Sequence, residues 1–205
     1  MSSHTVAVLG GSFDPPHVGH TQLADALQPH FNEVWIIPCG DRSDKHTMSP
    51  ATLRYQMASI AYKNYQVLDI EAQNGSMIPS YFLMKRLESI YPNKTLKLVI
   101  GSDLLSTLHS WDEPERLVSE INFAVLARKG FTISEEIENE FRSKPNFQFL
   151  PDLNIIEMSS TEVRNAIKNA RKEAESKEEL REKIAEIGFI SGEIIDIIIN
   201  NNLYA

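Results

Sequence analysis

Short apolar runs alternate with stretches of helical periodicity along most of this chain. Runs rich in β-branched residues predict strands over 4–9, 33–38, 66–70, 95–100 and 121–126. Between them, apolar positions spaced three and four apart predict helices near 18–28, 50–63, 80–90 and 112–119. Such an alternation is the pattern of an α/β fold, a doubly wound parallel sheet with helices on both faces and right-handed crossovers. Ligands of such sheets bind at the carboxyl ends of the strands, so residues 10–20, 38–45, 101–111 and 128–130 are expected to converge on one rim.

The last third changes character. Ser159-Ser160-Thr161-Glu162 supplies cap residues immediately before Val163, Ala166, Ile167 and Ala170, so a helix is expected to begin there with free N–H groups facing outward. Residues 168–186 mix Lys, Arg and Glu densely, the composition of a solvated helical face. An apolar helix near 191–200 is expected to pack back on the body. The expected organisation is one domain over 1–205, a core over 1–157 followed by a helical C-terminal segment over 158–205.

The chain has 205 residues, 42% of them hydrophobic, enough for one sizeable core. Cys39 is the single cysteine, which excludes an internal disulfide framework; with neither a basic n-region nor a long apolar h-region at the start, a cytoplasmic protein is expected. The most apolar late run, Ile194 to Ile199, is short and interrupted by Asp196, so no membrane partner is expected. A net charge of −8 argues against a broad nucleic-acid surface. A small phosphorylated ligand fits better, held by local cations for which Arg128 with Lys129, Arg164 and the 42–45 segment are candidates.

Chemistry concentrates in Leu9-Gly10-Gly11-Ser12-Phe13-Asp14-Pro15-Pro16-His17-Val18-Gly19-His20. A glycine turn after an apolar strand permits close approach of backbone to ligand. His17 and His20 then stand at i and i+3 in the opening turn of a helix, where unpaired N–H groups and the positive dipole end favour anions. Gly19 between them leaves room where a bulky ligand would pass. Two histidines on one face also suit zinc, but no Cys or carboxylate stands at ligand spacing to complete a tetrahedron, and no protein metal site is expected. Taken singly, each of these residues has an ordinary structural reading; their combination is what singles them out.

At Gly10 to His20 the chain resembles the H-x-G-H nucleotidyltransferases and, within them, the nicotinate/nicotinamide mononucleotide adenylyltransferases. Gly101-Ser102-Asp103 with Ser110-Trp111 is similar to that family's G-x-D…W segment, Phe123 to Gly130 to its strand ending in Arg and Gly, and Ser159-Ser160-Thr161-Glu162-Val163-Arg164 to its I-S-S-T-x-x-R signature. Leu203-Tyr204 resembles the family's usual ending. Three departures stand out, one of them a longer stretch between Arg164 and the last helix than the family usually has. Pro38-Cys39-Gly40-Asp41-Arg42-Ser43-Asp44-Lys45 replaces the Pro-Pro-His-Lys segment of the bacterial nicotinate enzymes, and Met158 replaces an Ile, a mild apolar change.

The resemblance implies a Rossmann-like fold and transfer of AMP from ATP to the phosphate of a pyridine mononucleotide, with Mg2+ travelling on the ATP phosphates. It implies catalytic roles for His17, His20 and Arg164. ATP contacts are implied for Gly11, Ser12, Phe13, His17, His20, Gly101, Asp103, Ser159, Ser160 and Arg164, and mononucleotide contacts for Ser12, Phe13, Lys45, Ser80, Trp111 and Arg128. Tyr81 beside Ser80 is a further pyridine candidate. Against these stand plain alternatives: Trp111 as a packed aromatic, Asp103 as a helix cap, Arg164 as a surface cation. Pantetheine-phosphate adenylyltransferase shares the opening signature, but the Ser110-Trp111 pair, the Ser-Ser-Thr-x-x-Arg arrangement and the chain length disfavour it. A nucleotide sensor is disfavoured because it needs no provision for a leaving group. Acid or amide preference and homo-oligomerisation stay open.

Overall fold

Val6, Ala7 and Val8 have no exposed surface, as an unbroken apolar run requires when both faces of a sheet are covered. They form the middle of β1 (His4–Gly11) in a computed structural model that describes residues 4–42, 48–127, 134–153, 155–156 and 158–205. α1 (Val18–Leu27), β2 (Glu33–Pro38), α2 (Ala51–Ala61), β3 (Gln66–Val67), α3 (Ser80–Ile90), β4 (Lys94–Gly101), α4 (Pro114–Glu120) and β5 (Phe123–Leu126) follow. Then come α5 (Glu135–Arg142), β6 (Phe147–Phe149), α6 (Ser160–Glu173), α7 (Lys177–Glu186) and α8 (Gly192–Asn200). The sheet has six strands in the order β3-β2-β1-β4-β5-β6. The chain winds outward from β1 to β3, returns to β4 and winds the other way, so the topological switch lies between β1 and β4. The expected doubly wound, Rossmann-like α/β fold with C-terminal helices is present.

Several boundaries differ from the sequence pattern, each for a local reason. β3 ends at Val67 because the chain turns soon after, the amides of Gln73 and Gly75 donating back to the carbonyls of Asp69 and Glu71. β5 begins at Phe123, not at 121, because Ile121 still donates to the Leu117 carbonyl at the end of α4. α4 starts at Pro114, whose ring disfavours a helical residue before it; Glu113 takes a left-handed conformation instead, φ 51°. Ser102–Ser110 is a 3-10 helix, and its buried Ser102, Leu105 and Leu108 recur at the period of three such a helix imposes. α5 and β6 complete the sheet edge beyond the expected elements. The charged run 168–186 is divided between α6 and α7, and it is not wholly solvated: Ala170, Leu180 and Ile184 are buried.

The residues group into two compact units interleaved in sequence. One comprises 1–10, 26–35 and 78–154. Here β1, β4, β5 and β6 run parallel, Val8 opposite Leu98, Gly101 opposite Leu126 and Val125 opposite Phe149. Phe123 stacks on Phe147 with centroids 4.5 Å apart, and Phe141 of α5 adds to them. The other comprises 11–25, 36–77 and 155–205. Its core joins Met57 of α2 to Val163 and Ile167 of α6, Leu180 and Ile184 of α7, and the buried isoleucines of α8. The expected apolar last helix is therefore packed on α2 and α7.

Candidate active site

Where β1 ends, the chain passes into the second unit and makes a tight loop before α1. Phe13 lies in left-handed space at φ 47° with its ring 1% exposed, an uncommon state for a bulky residue and a mark of a segment held by its surroundings. Its ring explains Gly11, since a Cβ there would come within 2.9 Å of it. Gly19 also has a reason within the protein: a Cβ would sit 3.0 Å from the Ile156 carbonyl and 3.3 Å from the His17 ring, so either neighbour would have to give way.

His17 precedes α1 and caps it. Its carbonyl accepts from the amides of His20 and Thr21, and its own amide donates to Nδ1 of His20 at 3.3 Å. That last bond assigns the neutral His20 tautomer, with the proton on Nε2. The two imidazoles stack with centroids 3.7 Å apart, and the edge of Phe13 meets His20. Burial lowers His20 to a pKa of about 3, with a contribution from the neighbouring His17 ring. Burial lowers His17 to about 4 against the opposing pull of the Glu162 carboxylate. His17 is 3% exposed, and both of its ring nitrogens are without a hydrogen-bond partner among the described residues. A buried imidazole left so is costly, and an anion or water accepting from it would relieve that cost.

The start of α6 meets this loop. Nη1 of Arg164 donates to the Asp14 carbonyl at 2.8 Å, Nη2 to Oγ1 of Thr161 at 3.0 Å, and the Ser160 hydroxyl to the Pro15 carbonyl at 3.4 Å. Ser159 is the N-cap of a full capping box: its Oγ accepts from the Glu162 amide at 3.2 Å, and its amide donates to Oε2 of Glu162 at 2.7 Å. Its hydroxyl also donates to that carboxylate, so Ser159, expected at phosphates, is engaged here by the helix end. Ser160, Thr161 and Arg164 thus lie beside the segment leading to His17 and His20.

Arg54 was absent from the expected site residues, and it organises the surrounding turns. Although 0% exposed, its guanidinium donates to the carbonyls of Ser49, Ser12, Cys39 and Gly40 and to the Asp41 carboxylate. A sequence signal exists: Arg54 falls on the buried face of α2 with Ala51, Met57 and Ala58, and a cation at an apolar-face position needs internal acceptors. Asp14, 3% exposed, also went unassigned. Its carboxylate accepts from the Ser49 amide and the Tyr204 hydroxyl.

The remaining expected residues belong to the first unit. Gly101 is the extended N-cap of the 3-10 helix, where a Cβ would press on Asp103 Oδ1 of the first turn. Trp111 ends that helix half-buried, its indole donating to Thr107 Oγ1 at 3.3 Å. Ser80 opens α3 after the N-cap Pro79 and is half-buried. Tyr81 is packed away at 2% exposure, its hydroxyl on Glu120 and the Arg116 guanidinium over its ring. Lys45 and Arg128 lie outside the described residues, as do Lys129 and Gly130. No described helix is long and apolar enough to cross a membrane.

The family model of cytidylyltransferase-like proteins matches residues 8–166. A "probable nicotinate-nucleotide adenylyltransferase" of Clostridium botulinum (strain Okra / Type B1) is 32% identical over 174 residues, spanning 79% of this chain and 86% of that protein. A protein of the same description from Oceanobacillus iheyensis is 26% identical over 169 residues, 80% of this chain and 84% of its own length. Among solved structures, the Plasmodium falciparum nicotinic acid mononucleotide adenylyltransferase complexed with NaAD superposes with a TM-score of 0.75 at 28% identity, covering 98% of this chain and 97% of that one.

Proposed function

This chain belongs to the cytidylyltransferase-like family and, within it, to the nicotinate-nucleotide adenylyltransferases, and from that premise we propose that it transfers AMP from ATP to nicotinate mononucleotide, giving deamido-NAD and pyrophosphate. A phosphate oxygen of the mononucleotide attacks the α-phosphorus of ATP; the bond from that phosphorus to the bridging oxygen breaks, and pyrophosphate departs with the electron pair. The nucleophile is already ionised near neutral pH, so the protein needs no covalent nucleophile or strong base. Its tasks are to align two anions that repel each other and to stabilise the charge growing on the leaving group.

One observation carries this reading: the bonds from Arg164 and Ser160 to the 14–15 carbonyls bring the first turn of α6 to the loop that presents the histidines. A guanidinium, the free amides at a helix start and the Nε2–H of His20 are together the donors a triphosphate requires. In this reading His20 meets the oxygen gaining charge, His17 a neighbouring phosphate oxygen, and Arg164 with Ser160 the β and γ phosphates. For the first unit, the resemblance alone speaks for Gly101 and Asp103 toward ATP and for Ser80 and Trp111 toward the pyridine nucleotide. Mg2+ would travel on the ATP phosphates, whose oxygens and water are the hard ligands it favours. The ion supplies charge neutralisation there when bound.

Pyrophosphate release from ATP and Mg2+ tests the reading with nicotinate mononucleotide, nicotinamide mononucleotide and phosphopantetheine offered in turn. The expected result is turnover with the nicotinate substrate at least about tenfold above the other two, a factor one charged contact supplies. Release only with phosphopantetheine, or with none of the three, overturns it.

A further inference from the structure

The segment after α8 reaches the loop that carries Asp14. Asn202 and Tyr204 both take left-handed backbone, φ 49° and 59°, turning the chain back on the helix it has just left. The Leu203 amide donates to the Ile198 carbonyl at 2.9 Å, and its side chain joins the apolar cluster of α6, α7 and α8. Arg171 of α6 donates from Nη2 to the Ile198 carbonyl at 3.2 Å and to the Leu203 carbonyl at 2.8 Å, pinning the turn. So anchored, Tyr204 places its hydroxyl 2.6 Å from Oδ1 of Asp14. The other oxygen, Oδ2, accepts from the Ser49 amide at 3.2 Å, which leaves this buried carboxylate held at both ends. Burial and the Asp14 charge push the Tyr204 phenol well above its ordinary range, so it stays a donor at every working pH.

We propose that Tyr204 is a positioning residue for the ATP half of the site: by fixing Asp14, it fixes the main-chain carbonyl on which the Arg164 guanidinium rests. The Asp14 carbonyl is the acceptor for Nη1 of Arg164, and Asp14 lies between the left-handed Phe13 and the His17 cap. A carboxylate free to rotate would loosen this peptide, and the guanidinium would lose its reference point. Interactions that act through one another in this way are non-additive.

This inference rests on the proposed function only in that the ligand is ATP, and a binding measurement separates the two. Titration calorimetry with α,β-methylene-ATP compares the intact chain with Tyr204→Phe, which keeps the packed ring and removes the donor. The expected result is binding weakened about tenfold, the usual effect of removing a hydrogen bond to a charged group. The KM for nicotinate mononucleotide should be nearly unchanged, while the melting temperature falls by a few degrees because the buried Asp14 carboxylate loses a donor. Adding Tyr204→Phe to Arg164→Lys should weaken binding by less than about threefold more, because the arginine contact that Tyr204 supports is already lost. Unchanged binding of the analogue, equal losses for both nucleotides, or full additivity with Arg164→Lys would overturn the inference. If the intact chain binds the analogue but releases no pyrophosphate with any acceptor, the functional reading falls while the binding comparison still decides the role of Tyr204. Failure of the intact chain to bind the analogue overturns both.

Discussion

His17 and His20 are close enough to share a fate. Two imidazoles stacked 3.7 Å apart cannot both be cationic, and burial holds each pKa well below 7, so the unliganded pair is neutral at physiological pH. Neutral His20 donates from Nε2, the nitrogen not occupied by the His17 amide. His20→Ala is expected to lower kcat by about a hundredfold, the scale found on deleting one preorganised donor at a developing charge; steady-state pyrophosphate release measures it. The same pair makes stability depend on pH. Both folded pKa values lie below the ordinary 6.5, so between pH 6.5 and about 4 the unfolded chain takes up protons that the folded chain refuses. Stability is therefore full above pH 6.5 and falls as pH drops. Urea unfolding is expected to show a loss on the order of 2 kcal/mol per histidine between pH 7 and pH 5. His17→Gln should flatten that slope. An anion beside the rings acts oppositely, favouring the charged form, so ATP binding should take up protons; calorimetry in buffers of different ionisation enthalpy detects this.

Among the elements, α6 bears most directly on the site, and its position depends on how it starts. The Ser159–Glu162 box satisfies amides of the first turn reciprocally and halts the helix at Ser159, next to the 14–15 carbonyls. Ser159→Ala is expected to cost about 1 kcal/mol. Scanning calorimetry should register this as a fall in melting temperature of about 2–4 °C for a protein of this size. A loss of ATP affinity at unchanged melting temperature would instead assign the hydroxyl to phosphate. This start was legible in the sequence because a capping box is a local pattern over four residues. The 3-10 helix over 102–110 also left a trace, in the spacing of Ser102, Leu105 and Leu108, but a period of three blends into helical periodicity over so short a run. β6 was not legible, because a strand of three residues is too short for alternation to register, and its place follows from pairing with β5.

For the molecule as a whole, the second unit draws together segments far apart in sequence, and its apolar core carries the helix that bears Arg164. Met57, 0% exposed on α2, packs in the cluster of α6, α7 and α8. Met57→Ala is expected to destabilise the chain by about 2–5 kcal/mol, the range for truncating a buried side chain. Denaturant unfolding should show the loss, and if α2 and α8 support α6 as argued, ATP affinity should weaken with it.

From its sequence alone, this chain determined the alternating strands and helices, the glycine-bearing loop of Gly11 to His20 with its two histidines and the capped start of the helix bearing Arg164. Those are local properties: burial periodicity, glycine placement and capping act over a few neighbouring residues. Only the tertiary structure decided that Arg164 rests on the carbonyl of Asp14, 150 positions earlier, and that Tyr204 meets the carboxylate of the same residue across 190 positions. It also decided which carbonyls the buried Arg54 meets, those of Ser12, Cys39 and Gly40. Hydrogen bonds of that kind depend on which segments the folded core brings together, and no spacing within either segment records the partner.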